Sequence, residues 1–109
     1  MLKGTIIESS LRDKSILDEL EIVRSWDSSG GWKLHDIRIE ENKALEFGKY
    51  LADGPWYVHF WEPGEDGILV VFKDKTFRIL HSDQDTWHDA IQYGESVGMP
   101  KEQLDFIVT

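Results

Sequence analysis

The chain reads as an α+β protein, a mostly antiparallel sheet of about six strands with three helices in the order β-α-β-β-α-β-β-β-α. Three observations predict this. Short stretches of alternating or two-sided apolar residues recur along the sequence, a helical apolar spacing interrupts them, and clusters of Gly, Pro, Ser and Asp separate most of the pieces. The first six elements have the order of a ferredoxin-like start, the split βαβ arrangement, with a hairpin and a helix appended. An order of elements carries no activity with it.

Leu2 to Glu8 is rich in β-branched residues and stops at Ser9-Ser10, which makes it the first strand. A helix follows, capped by Ser10 or by Ser15, with Leu11, Ile16, Leu17 and Leu20 as its apolar stripe. Glu21 to Trp26 reads as the second strand, with Ile22, Arg24 and Trp26 on one side and Val23 and Ser25 on the other. Asp27-Ser28-Ser29-Gly30-Gly31 turns the chain, and Trp32 to Glu40 returns as the other arm of an antiparallel hairpin. In Glu41 to Ala52 the period changes, because Ala44, Phe47, Gly48 and Leu51 share one helical face. Asp53-Gly54-Pro55 ends that helix. Strands Trp56 to Glu62, Ile68 to Lys73 and Thr76 to His81 come next, joined by Pro63-Gly64-Glu65-Asp66-Gly67 and by a tight turn at Asp74-Lys75. The last helix starts at Asp83 or Asp85, carries Trp87, Ala90, Ile91, Gly94 and Val97 on one face, and ends at Gly98. Pro100 opens one short turn, and Phe106-Ile107-Val108 form an apolar tail that needs cover.

Composition bounds the function. The chain has 109 residues, enough for a single domain over 1–109 that buries roughly two-thirds of its unfolded surface. It carries 12 Lys+Arg against 21 Asp+Glu, a net charge of −9, whose field repels phosphate backbones and anionic lipid. Nucleic acid and membrane surfaces are therefore not expected partners. Absence of Cys removes disulfides and thiolate chemistry, and no apolar leader opens the chain, so the expected location is cytoplasmic.

Two strands break the one-sided pattern of an ordinary antiparallel sheet. Trp56, Val58 and Phe60 alternate with Tyr57, His59 and Trp61, and Ile68, Val70 and Phe72 alternate with Leu69 and Val71, so both faces are apolar. Burying one such side chain is worth about 1.5–3 kcal/mol, which makes a wet second face untenable. Its cover is the last helix with its tail, a second copy in a homodimer, or a ligand.

Sites for chemistry are sparse. His35, His59, His81 and His88 show no metal-ligand spacing, no cofactor motif occurs, and the serine-bearing loops lack a hydrolase elbow. Pro63-Gly64-Glu65-Asp66-Gly67 puts carboxylates where a phosphate would sit, and Asp83, Asp85 and Asp89 are explained by helix capping. The segment with suitable ingredients is Tyr57, His59 and Trp61, an imidazole flanked by two aromatics on one sheet face. Five tryptophans are a high load, and Trp26, Trp32 and Trp61 are the expected partner contacts, with Trp26 and Trp32 placed to stack across their hairpin.

The opening Lys3-Gly4-Thr5-Ile6-Ile7-Glu8-Ser9-Ser10-Leu11, the pair Trp32 and His35, Trp56-Tyr57, and the ending from Tyr93-Gly94 through Gly98-Met99-Pro100 to Asp105-Phe106 resemble a family of small uncharacterised proteins of archaea and bacteria. The resemblance implies a free-standing cytosolic protein and brings no activity, cofactor or catalytic residue. The expectation is a non-enzymatic protein-interaction or small-ligand-binding domain, as a homodimer, using Tyr57, His59, Trp61, Trp26 and Trp32. The alternative is a small enzyme with His59 as general acid or base.

Overall fold

The computed structural model describes residues 1–104 and 106. Strands β1 (Leu2–Ile7), β2 (Glu21–Asp27), β3 (Lys33–Ile39), β4 (Tyr57–Trp61), β5 (Gly67–Phe72) and β6 (Thr76–Leu80) form one sheet in the order β2-β3-β1-β4-β5-β6. Every neighbouring pair is antiparallel. Helical segments occupy the three places assigned to helices, but among the described residues only α1 (Glu41–Leu45) and α2 (His88–Ser96) are α-helix. The remainder are 3-10 turns.

The first crossover differs most from its expected helix. Ser10 is enclosed and turns its hydroxyl back to the Ile7 carbonyl at 2.6 Å, so it caps nothing downstream. Leu11 is extended and bridges to Leu51. Asp13 caps instead: its carboxylate accepts from the Ser15 amide at 3.0 Å and opens the 3-10 turn Lys14–Glu19. This crossover therefore holds 3-10 turns in place of the expected α-helix.

In the second crossover Ala44, Phe47, Gly48 and Leu51 are buried as their spacing requires, but the α-helix stops at Leu45 and continues as the 3-10 turn Phe47–Tyr50. The backbone of Gly48 lies against β5, where a Cβ would sit 2.5 Å and 2.7 Å from the carbonyl oxygens of Phe72 and Lys73. Only glycine permits that approach.

β2 also departs from plain alternation. Ile22 pairs with Ile37 while Arg24 pairs with Asp36, so a bulge at Val23 sends Ile22 and Arg24 to opposite faces. Arg24 and Trp26 remain on one face, opposite Asp36 and Leu34 of β3.

Both faces of the sheet's middle are buried. One layer joins Ile6, Ile37, Val58, Phe60, Leu69 and Val71 to Ala44, Phe47 and Leu51 of the second crossover. The other joins Trp61, Ile68, Val70, Phe72 and Ile79 to Trp87, Ala90, Met99, Leu104 and Phe106. The cover on the second face is therefore the chain's own C-terminal part. Phe106, fully buried, is its centre, with ring centroids 5.5 Å from Tyr57, 6.1 Å from His59 and 5.4 Å from Trp87. Ile107 and Val108, expected to share this role, lie outside the described residues. Among the described residues the cover spans β4 to β6 only. On β1, β3 and β2 the same face carries Lys3, Thr5, Ile7, Leu34, Asp36, Arg38, Arg24 and Trp26, none of them fully buried. Among the described residues no helix is long and apolar enough to cross a membrane.

Removing the keystone of the second layer should be costly. Phe106→Ala is expected to lower unfolding free energy by about 3–5 kcal/mol, measured by urea denaturation. Leu45→Ala, at a position 42% exposed, should change it by less than about 1 kcal/mol. Equal losses would show that the second layer contributes no more than a surface leucine.

Candidate functional site

Where the C-terminal cover ends, a groove of about 420 Å³ opens on the second face of the sheet. Ile7 and Leu34 form an apolar floor, with Trp32 and Trp56 on one side and Tyr57 and His59 on another. Met99 and Gln103 edge it from the C-terminal segment. Trp56 stands just before β4, set there by the turn at Gly54, whose φ of +116° belongs to glycine. The Trp32 and Trp56 rings meet edge to face, with centroids 5.6 Å apart. Tyr57 donates its hydroxyl to the Gln103 carbonyl at 2.8 Å and so ties the last 3-10 turn, Lys101–Gln103, to β4. The His59 ring is stacked between Tyr57, at 6.1 Å, and Trp61, at 5.3 Å, because alternate residues of a strand share a face.

Of the residues singled out in the sequence, Tyr57, His59 and Trp32 come together in this groove. Trp61 is 7% exposed and packs in the second core layer. Trp26 sits apart under the Arg24 guanidinium, 4.3 Å from its ring centroid. The expected Trp26–Trp32 stack is replaced by the Trp32–Trp56 contact. Ser28 closes the hairpin tip, its amide donating to the Trp32 carbonyl at 2.8 Å and its hydroxyl accepting from the Trp32 amide at 3.1 Å, and Trp32 falls just outside β3. Alternation with Val58 and Phe60 makes Trp56 an inward strand residue in the sequence; its position directly after Asp53-Gly54-Pro55 is the signal that it belongs to a turn.

Beside the groove the uncovered face becomes polar. Asp36 accepts from the Thr5 hydroxyl at 2.6 Å and from Arg24 Nε at 2.8 Å. Partial burial pushes its carboxyl pKa up, but the bonds from Thr5 and Arg24 and the charges of Arg24 and Lys3 outweigh this, so it lies below the ordinary 3.8.

A second polar constellation, which sequence spacing did not reveal, lies on the opposite face. His35, 4% exposed, has Nδ1 at 2.6 Å from the Ser25 hydroxyl and Nε2 at 3.1 Å from the Glu8 carboxylate. Serine, imidazole and carboxylate are the side-chain types of a nucleophilic triad. These three, however, do not line the groove, and both ring nitrogens are engaged. The arrangement satisfies a buried imidazole and fastens β2 and the turn after β1 to β3. His81 and His88 are exposed, and no group of three His, Cys, Asp or Glu side chains suited to a metal ion exists among the described residues.

A hollow of about 290 Å³ at the far end of β5 and β6 is bridged by the Arg78–Glu41 ion pair at 2.8 Å and bordered by Glu62 and Glu65. Among the described residues its lining holds one aromatic ring, Phe60, and no imidazole. Comparison with protein-family models, curated proteins and solved structures finds no match, so the groove is interpreted from its own geometry.

Two outcomes follow from the polar groups. Because the native Asp36 carboxyl lies below 3.8, its stabilising contribution is complete well above that pH and is lost as pH falls through the lower native value. Asp36→Asn should therefore be less stable than the parent at about pH 6, with the gap closing toward about pH 2, in urea melts across pH. Ser25→Ala, which leaves a buried imidazole nitrogen without its hydroxyl, should cost about 1–2 kcal/mol in the same assay.

Proposed function

We propose that this protein is a non-enzymatic small-ligand-binding domain whose groove takes a flat apolar ring between the Trp32–Trp56 wall and the Tyr57 and His59 rings. The observation that carries this reading is the position of the groove. Aromatic side chains line a cleft of about 420 Å³, a size typical of small-molecule sites, at the border where the sheet passes from covered to uncovered. Aromatic walls suit a flat ring because offset and edge-to-face contacts add to simple area burial. Aromatic rings also lose little side-chain freedom on binding, which favours them as a preformed site.

A second reading is favoured by His59 itself. An imidazole that lines the groove is within reach of a bound molecule and is the usual side chain for proton transfer near neutral pH. In that reading the protein is a small enzyme and His59 its general acid or base. Self-association, which the sequence suggested as cover for the second face, is not needed over β4 to β6; a homodimer would use the open face of β1, β3 and β2.

The ring site is tested with 2-naphthalenemethanol as a neutral probe, by isothermal titration calorimetry. Saturable binding with one site per chain is expected, weakened at least about tenfold by Trp56→Ala and by Trp32→Ala. Absence of heat, or affinities unmoved by both substitutions, contradicts the ring site. His59→Gln removes one ring of the groove wall and should weaken probe binding by a few-fold under either reading, and would in addition abolish turnover of a substrate under the second.

A further inference from the structure

We infer that the groove's ligand is a planar aromatic acid, with its ring in the aromatic groove and its anionic group held by Lys3 and Arg24; this rests on the small-ligand reading above. The groove does not end at Thr5. A second hollow of about 240 Å³ continues on the same uncovered face, lined by Lys3, Thr5, Arg24, Asp36, Arg38 and Trp61, and Thr5 lines both. Along β1 the side chains that share this face are Ile7 at the aromatic end, Thr5 at the junction and Lys3 at the polar end. Successive ones are roughly 7 Å apart, so a two-ring acid seated at Ile7 brings its carboxylate to the junction at Thr5, where Lys3 meets it with its long flexible stem.

The charge at the polar end runs against that of the whole chain. Three cationic side chains stand around a single carboxylate in this hollow, in a protein whose net charge is −9. The general field disfavours an anion, so one bound here must be held by local contacts. Lys3 supplies one, since it makes no ion pair among the described residues. Arg24 supplies the other. Its guanidinium is oriented by Asp36 at 2.8 Å and by the Trp26 ring beneath it at 4.3 Å, which leaves further N–H groups of a fixed fork to offer. Arg38 is the more distant choice, being drawn toward Glu21 at 3.5 Å. Asp36 is itself engaged by Thr5 and Arg24, so its charge is largely answered before a ligand arrives.

The probes are 2-naphthoate and its neutral counterpart 2-naphthalenemethanol, each titrated calorimetrically into the full chain at low ionic strength. The parent protein should bind the acid about tenfold more tightly than the alcohol, the combined gain of two exposed charge-assisted contacts worth about threefold each. Lys3→Gln, at an exposed position, should reduce that preference to about threefold or less without changing affinity for the alcohol; Arg24→Gln should act likewise, with circular dichroism verifying its fold. Added salt near 1 M should weaken the acid alone, because exposed charges are then screened within about 3 Å. Equal affinity for both probes, or a preference for the acid untouched by Lys3→Gln, Arg24→Gln and salt, overturns the assignment of the anion while the ring site stands. Failure of both probes to bind overturns the ring site and this inference with it.

Discussion

The structure depends on one constraint: β4 and β5 are apolar on both faces, so neither face of the sheet's centre can meet water. Val58, Phe60, Leu69 and Val71 are closed off by the crossover from β3 to β4, and Trp61, Ile68, Val70 and Phe72 by the segment that follows β6. A sheet with one solvated face could have ended its chain after β6. Here the C-terminal quarter of the sequence is obliged to return across the strands, and Phe106 seats its ring among Tyr57, His59 and Trp87. Burial of a large side chain is worth about 1.5–3 kcal/mol, so the return is a condition of folding for a domain of ordinary stability.

The groove is a by-product of how far that return extends. Among the described residues the cover is nine residues of α-helix with short turns on either side, and it packs against β4, β5 and β6. At its border the aromatic residues of β4 are covered by Phe106 on one flank and open on the other, and Trp32 and Trp56 lean in from the two loops that reach the same end of the sheet. Beyond the border the residues on that face change from Ile7 and Leu34 to Thr5, Lys3, Asp36 and Arg24, as expected of a face the fold leaves to solvent. An apolar cleft thus adjoins a polar shelf without any element devoted to building it.

What could be read from the sequence was the part written in local periods. Apolar residues at both odd and even positions of Trp56 to Trp61 and Ile68 to Phe72 announced burial on two faces, because burial acts on each side chain where it stands. The hairpin of β2 and β3 and the stop at Gly98 were legible for the same reason, while the start, read at Asp83 or Asp85, is Asp83 capping a 3-10 turn ahead of α2. The replacement of α-helix by 3-10 turns was not, since an apolar residue every three or four positions satisfies both geometries and the choice falls to tertiary contacts such as Gly48 against β5. The bulge at Val23 changed the facing of Ile22 without any Gly or Pro to announce it. The Ser25–His35–Glu8 group joins residues from three segments through strand register, which no spacing rule contains. Trp56 joined the groove through the turn at Gly54, although its alternation with Val58 and Phe60 argued for the core.

The most direct test of the half-covered sheet uses the five tryptophans as separate reporters. Their indole N–H signals are followed in a nitrogen–proton correlation spectrum as 2-naphthoate is added. Trp32 and Trp56 should shift together and saturate at one ligand per chain, while Trp87, 7% exposed within the C-terminal cover, stays in place. Movement of Trp87 in step with them would mean that the cover yields to the ligand, and stationary signals from Trp32 and Trp56 would mean that the border of the cover holds no site.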